Sequence, residues 1–426
     1  MSDAALRSSP CLRKSQVERV KSRASSDDCA SSRLAVIGWA TDDLSPRGQR
    51  TKHVLHALQR HGTVQWLRPR RGPASSRSAS GMSRNSVSHR LGRLLVRHIM
   101  LDKFEPSAAR HLWRWRPIAD AAVLIGSPFS PLAYATRRLA HFDIPYAVDV
   151  GDPWSLTYAK RTSGLFKHWR ACRAERRVWR NARAAIVTTS AQAAALAQLF
   201  PHLAILVRPN GYDTVTPVAG STRERRSRER YRELRLAHYG ALYAPRLDPE
   251  PFFESLAASG LWHRILLRQH GSDWDGMLDR IARHIDIELR SPIPWQEVVS
   301  QAPAFDAALV IGNTSPAQLP SKAIQYLTLP VPRIAIVSND PTDSLACYLA
   351  DKSGWAVISS AAPDPARSVA TLVSTSQDSD LIPPTADSWP AVEAVLSDFI
   401  LSTTGLAPSQ TQARGPGHPL TNESRC

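Results

Sequence analysis

The chain has 426 residues, of which 43% are hydrophobic and 21% are charged, so it is long enough for two domains and too apolar for a disordered protein. Lysine and arginine number 54 against 37 aspartates and glutamates, which gives a formal net charge of +17 at pH 7. The basic residues are spread along the chain and do not interleave with aromatic residues in a nucleic-acid-binding motif, so nucleic acid is not an expected partner.

The sequence predicts a cytoplasmic protein. It contains no uninterrupted apolar run of about 18 residues, and no apolar stretch follows the basic residues near its start, which argues against a membrane span or a secretory signal. The five cysteines are odd in number and lack paired CxxC spacing, so neither a disulfide framework nor a metal site is expected. We predict that the protein needs no metal and no other cofactor.

Short apolar strands alternate with helical stretches along the first half of the chain. Residues 1–32 are polar and are expected to be disordered, and residues 70–89, rich in Ser and Arg, are expected to form a mobile basic loop. The first strand, Leu34–Gly38, leads through a Pro- and Gly-containing loop into a helical pattern. The strands predicted after it are Ala122–Gly126, Tyr146–Val150, Ala184–Thr188 and Ala204–Val207.

The same alternation restarts after an Arg-rich link. The strands predicted in this half are Leu236–Gly240, Ile265–Gly271, Asp286–Leu289, Ala307–Gly312 and Arg333–Val337. Apolar strands alternating with helices indicate parallel sheets covered on both faces. We therefore predict an α/β fold with two doubly wound, Rossmann-like domains, residues 33–210 and 211–386, that face a central cleft. A closing helix is expected over 387–404 and a disordered tail over 405–426.

Four segments carry a resemblance to a known family. They are SPRGQRTKHVLHALQRHG from Ser45, IPYAVDVGDPWSLT from Ile144, ERRVWRNARAAIVTTSAQAAALAQLFP with the later RPNGYD, and the pair YGALYAPRLDPEPFFESL and LPSKAIQYLTLPVPRIAIV. In this order they resemble the retaining glycosyltransferases of the GT-B fold (family 4-like, or group 1), over most of residues 33–404. The resemblance implies the GT-B fold, with a nucleotide-sugar donor on the C-terminal domain and an acceptor on the N-terminal domain.

The resemblance assigns donor-binding roles in the second domain. Arg246 is expected to bring a positive charge to the donor diphosphate, and Gly271 to end a strand beside it. The helix that begins at Pro320 is expected to present the N–H groups of Ser321 and Lys322, together with the Lys322 charge, to the same diphosphate.

The same helix departs from the family pattern. Members usually carry a Glu that holds the donor ribose, and many have a second Glu about eight residues earlier, whereas this chain has Gln325 and Ala317. A neutral amide oxygen accepts a weaker hydrogen bond than a carboxylate does. Donor affinity, donor identity and activity are therefore the properties that the departure calls into question.

In the first domain the resemblance indicates an acceptor site. Gly48 and Gln49 lie in the glycine-containing loop, where a ligand approaches the backbone closely. Asp149 and Asp152 are the candidate catalytic carboxylates, to bind acceptor hydroxyls or to serve as a base. Their alternative is structural, because Asp before Pro commonly forms turns and helix caps.

The resemblance implies a metal-independent, retaining transfer of a sugar from a nucleotide sugar to a glycan acceptor, often lipid-linked, in cell-surface or exopolysaccharide synthesis. A basic, Trp-containing helix over residues 165–180 and the stretch 91–104 indicate peripheral binding to an anionic membrane, with a solvated Arg face as the alternative. Two other functions stay open: a degenerate, non-catalytic scaffold for polysaccharide assembly, motivated by Gln325, and a nucleotide-sugar epimerase.

Overall fold

The computed structural model describes residues 18–20, 32–38, 45–67, 101–102, 105–126, 128–154, 165–213, 233–243 and 246–406. The predicted loop 70–89 and the tail beyond residue 406 lie outside the described residues, as does most of the segment that precedes Ser32. Among the described helices we find none with the length and hydrophobicity that a bilayer-spanning segment requires.

The first sheet has seven strands. They are β1 (Glu18–Val20), β2 (Ser32–Gly38), β3 (Gly62–Leu67), β4 (Ala121–Gly126), β5 (Tyr146–Val150), β6 (Ala184–Val187) and β7 (Ala204–Val207). Their order is β1-β3-β2-β4-β5-β6-β7, and all pairs are parallel except β1 with β3. Leu34 of β2 lies opposite Val64 of β3 and Ala121 of β4, which sets the register at the centre of the sheet.

Helices cover both faces of this sheet. They are α1 (Pro46–Gln59), α2 (Glu105–Trp113), α3 (Ser130–His141), α4 (Leu165–Asn181) and α5 (Ser190–Leu199), with α12 (Trp389–Thr404) from the end of the chain. Because successive side chains of a strand point to opposite faces, Ala35 and Ile37 pack against α2–α5 while Leu34 and Val36 pack against α1 and α12. The continuous apolar run of β2 follows from this burial on both sides.

The second sheet has six strands, all parallel. They are β8 (Glu233–Tyr239), β9 (Arg264–His270), β10 (Asp286–Arg290), β11 (Ala307–Ile311), β12 (Arg333–Val337) and β13 (Trp355–Ser359), in the order β10-β9-β8-β11-β12-β13. The helices are α6 (Glu250–Ala258), α7 (Met277–Ile281), α8 (Trp295–Gln301), α9 (Ser321–Gln325), α10 (Ser344–Leu349) and α11 (Pro365–Thr375). One core lies under α6, α7 and α11, and the other under α8, α9 and α10.

Two crossings of the chain connect the sheets, and they lie side by side. The Tyr212 N–H donates to the carbonyl of Asp387 at 3.0 Å, and the Trp389 N–H donates to the carbonyl of Tyr212 at 3.0 Å. Helix α12 then returns to the first sheet, where Trp389 and Leu396 are buried against it. Gly405, with φ 80°, ends the helix in the left-handed conformation that glycine adopts without strain.

The predicted fold class is confirmed: two Rossmann-like sheets and a helix that closes back on the first of them. Strands β1, β3 and β13 were not predicted, and β1 lies within the segment that was expected to be disordered. In β3 (GTVQWL) polar residues interrupt the apolar ones and only Val64 is fully buried, whereas β13 (WAVIS) is a short apolar run that the prediction missed. The predicted domain boundaries stay predictions.

Candidate functional site

The strand order reverses between β2 and β4 in the first sheet and between β8 and β11 in the second. In open parallel sheets, ligands bind beside the carboxyl ends of the strands at such a reversal. Arg246 follows β8, Asn313 follows β11, and the two residues form an antiparallel bridge. The reversal of the second sheet therefore places a predicted donor-site residue where a ligand is expected.

Arg246 is held by neutral groups. Its Nη1 donates to the carbonyl of Ile311 at 3.2 Å and to Asn313 Oδ1 at 3.0 Å, and its guanidinium lies 5.1 Å from the centre of the Tyr243 ring. Burial lowers its pKa, and the charge of Asp152 from the first sheet opposes that effect. Arg246 and Asp152 thus interact electrostatically across the gap between the sheets, and no described carboxylate forms an ion pair with Arg246.

Lys322 is a second cation without a carboxylate partner among the described residues. Its Nζ lies 5.3 Å from the centre of the Trp295 ring, and burial lowers its pKa to about 8. His238 of β8 is buried, which lowers its pKa to about 4. The positive charges of Arg246 and Lys322 lower the pKa of His238 further, so both cations lie close enough to interact with it. The structure thus places Arg246 and Lys322 around the end of β8, and we call them the cation pair.

The helix that carries Lys322 is shorter than the sequence suggests. Helix α9 has five residues, Ser321–Gln325, and continues as a 3-10 turn over Tyr326–Thr328. Pro320 precedes it as the N-cap and contributes no side-chain cap. Because a short helix has a small dipole, Lys322 itself is the main source of positive charge here, and the backbone N–H groups are secondary.

Gln325 replaces the family's Glu, and its Oε1 is buried with no hydrogen-bond partner in the described part of the chain. An unpaired buried carbonyl costs about 1–3 kcal/mol unless a ligand or water satisfies it. The other departure, Ala317, lies at the contact between the lobes, where its carbonyl accepts a hydrogen bond from Thr189 Oγ1 at 3.0 Å. The loop before α9 therefore faces the first sheet.

Gly271 ends β9 at a point of close approach. Its φ is 140°, and an added Cβ would lie 2.3 Å from the carbonyl oxygen of Gly240, which ends β8. Both conditions require glycine. The position shapes the strand ends beside Arg246, and its predicted contact with a donor stays a prediction.

The two candidate carboxylates occupy different environments. Asp149 Oδ2 accepts from Arg50 Nε at 2.8 Å, with the two side chains 1% and 5% exposed, and Arg50 Nη1 also donates to the carbonyl of Pro209. This buried pair ties β5 to α1 and to the crossing segment. Asp152 is 43% exposed and pairs with Arg47 of α1. Only Asp152 therefore faces the gap between the lobes, and the catalytic role predicted for Asp149 remains a prediction.

Gly48 and Gln49 lie in the first turn of α1. The Gly48 N–H donates to Ser45 Oγ at 3.1 Å, and the Gln49 N–H donates to the Ser45 carbonyl at 3.0 Å. Ser45 thereby caps the helix, which begins with a proline at a position that needs no N–H. This turn adjoins Asp152 through Arg47, so the predicted acceptor residues lie on the same rim of the first lobe.

Sequence reasoning missed Arg50, His238, Asn313 and Thr189. Arg50 has the appearance of an exposed helical cation, because its partner Asp149 is 99 positions away in the chain. Asn313 did carry a signal: it follows a predicted strand and Gly312, at the carboxyl edge where polar ligand-binding residues gather.

The sequence matches no protein-family model and no curated protein. Among solved structures, HepE of Anabaena in complex with UDP and glucose aligns with a TM-score of 0.51 and 11% identity, over 88% of this chain and 97% of that chain. MnaA of S. aureus with UDP aligns with a TM-score of 0.49 and 11% identity, over 86% of this chain and 94% of that chain. A trehalose-6-phosphate synthase aligns with a TM-score of 0.49 and 11% identity, over 89% of this chain and 100% of that chain.

The alignment with HepE extends over nearly the whole of both chains and agrees with the strand order described above. At 11% identity such a likeness bears on the fold and on nothing finer. The chain has the GT-B fold, with two Rossmann-like lobes and a C-terminal helix that returns to the first of them.

Proposed function

We propose that this protein transfers a sugar from a nucleotide-diphosphate donor to an acceptor, and that the donor diphosphate binds to the cation pair. The observation that carries the proposal is the placement of Arg246 and Lys322, neither of them ion-paired within the described residues, at the strand reversal of the second sheet. Two partly buried cations that lack a carboxylate partner among the described residues favour the binding of an anion between them. Neighbouring folds were solved with UDP, so UDP-sugars are the first donors to test.

In the proposed reaction the C1–oxygen bond of the donor sugar breaks, the diphosphate leaves with the electron pair, and the acceptor hydroxyl oxygen bonds to C1 while its proton passes to the departing diphosphate. Arg246 and Lys322 stabilise the charge that develops on the leaving diphosphate, as preorganised cations do. Asp152, exposed on the opposite rim beside Arg47, is the carboxylate available to hydrogen-bond the acceptor hydroxyl. Retention of the anomeric configuration, a glycan or lipid-linked acceptor and a role in exopolysaccharide synthesis complete the proposal, on the strength of the four resembling segments.

We further propose that transfer needs no metal, because the cation pair already supplies positive charge where the diphosphate would lie. Activity is then expected to be unchanged by EDTA. A loss of activity with EDTA that Mg²⁺ or Mn²⁺ restores would contradict this part of the proposal.

Isothermal titration of the purified protein with UDP and UDP-glucose tests the donor site. Lys322→Met and Arg246→Met are each expected to weaken binding about tenfold to hundredfold, since a charged hydrogen bond contributes about 1.5–3 kcal/mol. Lys52→Met, which removes an exposed lysine of α1, is the matched control and is expected to bind as wild type does.

The titration and an analysis of products separate the alternatives. A non-catalytic scaffold would bind no nucleotide sugar in the titration, and an epimerase would convert the nucleotide sugar into its epimer without any acceptor. Equal binding by wild type, Lys322→Met and Arg246→Met would refute the assignment of the diphosphate to the cation pair.

A further inference from the structure

A cavity of about 220 Å³ lies between α2, α3 and α4 on the first lobe, away from the gap between the sheets. Four arginines line it. They are Arg137 from α3 and Arg170, Arg173 and Arg177 from α4. The helical spacing of residues 170, 173 and 177 places the three α4 side chains on one face, so the concentration of positive charge is a property of the fold.

One of the four charges is neutralised within the protein. Arg170 Nη2 lies 2.7 Å from Glu105 Oε1, and Glu105 is the acidic residue that lines the cavity. The same carboxylate accepts hydrogen bonds from the Leu101 N–H and the Tyr134 hydroxyl. Glu105 carries a single negative charge, and that charge is already paired with Arg170.

The other three arginines face one another without a counter-charge among the described residues. Arg137 lies over the Tyr134 ring at 5.6 Å and Arg173 over the Trp169 ring at 5.7 Å, so both are held by aromatic faces and not by carboxylates. Burial lowers the pKa of Arg177, and the charges of Arg137 and Arg173 lower it further. Like charges this close repel, and an anion between them would convert the repulsion into attraction.

Exposed apolar side chains at the start of α4 adjoin the cavity through Trp169, which lines it. Leu165, Phe166 and Trp169 are 74%, 55% and 56% exposed at the start of α4, and the Phe166 and Trp169 rings stack with centroids 6.0 Å apart. Trp179, on the same helix, is 1% exposed and belongs to the core. The predicted basic, Trp-containing face of this helix is thus divided between the core and an exposed part that borders the arginine cavity. Residues 91–100 and 103–104 of the second predicted membrane-binding stretch lie outside the described residues.

We propose that the cavity lined by Arg137, Arg173 and Arg177 is a second anion site, which binds a phosphoryl group. Guanidinium groups match phosphate oxygens in geometry and keep their charge at physiological pH. The phosphoryl group would belong to a free phosphate compound or to the headgroup of an anionic lipid, whose apolar part would contact Leu165, Phe166 and Trp169.

The test measures binding of pyrophosphate by titration calorimetry in an Arg246→Met, Lys322→Met background, which removes both charges of the cation pair. A variant with Arg173→Gln and Arg177→Gln is expected to bind at least about tenfold more weakly. The matched control, Arg114→Gln with Arg116→Gln, removes the same charge from two exposed positions of the first lobe that do not line the cavity, and it is expected to bind unchanged. Without ligand, the first variant is expected to melt at the same temperature or higher, because it relieves repulsion.

Flotation with phosphatidylcholine vesicles, with and without phosphatidylglycerol, distinguishes the sources of the phosphoryl group. Pyrophosphate binding that depends on Arg173 and Arg177 supports the site with a soluble ligand. Flotation only with phosphatidylglycerol, lost in the same variant and kept in the control, supports it with a lipid headgroup. Binding in neither assay, or binding that the two arginines do not affect, overturns the proposal and leaves the donor site of the second lobe untouched.

Discussion

The proposed role of Lys322 predicts that donor binding depends on pH in a range where most lysines do not titrate. Burial lowers its pKa to about 8 from an ordinary value of 10.5, so the side chain loses its proton as the pH rises through 8. A nucleotide diphosphate stays fully ionised over that range, because phosphate groups have a second pKa of about 6. Any change in affinity between pH 7 and pH 9 therefore reports on the protein.

The size of the effect follows from the pKa. Between pH 7 and pH 9 the protonated fraction of a group with a pKa of about 8 falls about tenfold, so the Kd for UDP is expected to rise about tenfold. A bound diphosphate favours the charged lysine, so binding at pH 8 is expected to take up about half a proton per UDP. Titration calorimetry in buffers of different ionisation enthalpy measures both quantities.

Lys322→Met is the decisive control for this prediction. The variant is expected to bind weakly with an affinity that does not change over the same pH interval. A wild-type Kd that is constant from pH 7 to pH 9 refutes the reasoning, as does a variant with the same pH dependence as wild type.

Three further predictions concern the framework of the site. Arg50→Met leaves Asp149 buried and unpaired, so urea denaturation is expected to show that the free energy of unfolding falls by about 3–5 kcal/mol. Adding Asp149→Leu is expected to recover most of this loss. Additive losses in the double variant would contradict the prediction. Glu393, 3% exposed, has a pKa that burial raises but that hydrogen bonds from two histidines of α1 bring below its ordinary value. The stability that ionised Glu393 contributes is present above its pKa in the unfolded chain and is lost as the pH falls through its pKa in the folded protein. Glu393→Gln is therefore expected to lower the free energy of unfolding by about 2 kcal/mol at pH 7 and by progressively less in acid. A loss of stability that does not depend on pH would count against this prediction. Gly271→Ala is expected to cost more than Gly260→Ala in thermal melts, because both have positive φ but only Gly271 lacks space for a Cβ; equal costs would show that the backbone relaxes.

Much of the fold could be predicted because its signals are local. Strands β5, β7 and β12 were placed with the correct bounds, since each is a short apolar run between polar segments. Strand β13 (WAVIS) is apolar as well and was missed, although at the edge of its sheet only Ile358 is fully buried.

The site was predicted less completely, for a different physical reason. Arg246 and Lys322 were singled out because their segments resemble the donor-binding segments of the glycosyltransferases, and their contact with a donor stays a prediction. The partners of Asp149 could not be, because an ion pair between residues 50 and 149 leaves no trace in either local pattern. Whether a carboxylate faces the gap or another strand depends on three-dimensional packing alone.

The paired crossings at Tyr212 and Ser388 have a mechanical consequence. A sliding displacement of one lobe past the other would break the hydrogen bonds between the two segments, whereas a swing about the line that joins them would keep those bonds intact. At Gly211 an added Cβ would lie 2.8 Å from the Trp389 backbone, so the two segments are in close contact and have no room to slide toward each other. The crossings thus favour a hinge rotation over a sliding motion, and such a rotation would change the distance between Asp152 and Arg246 while both sheets keep their hydrogen bonds.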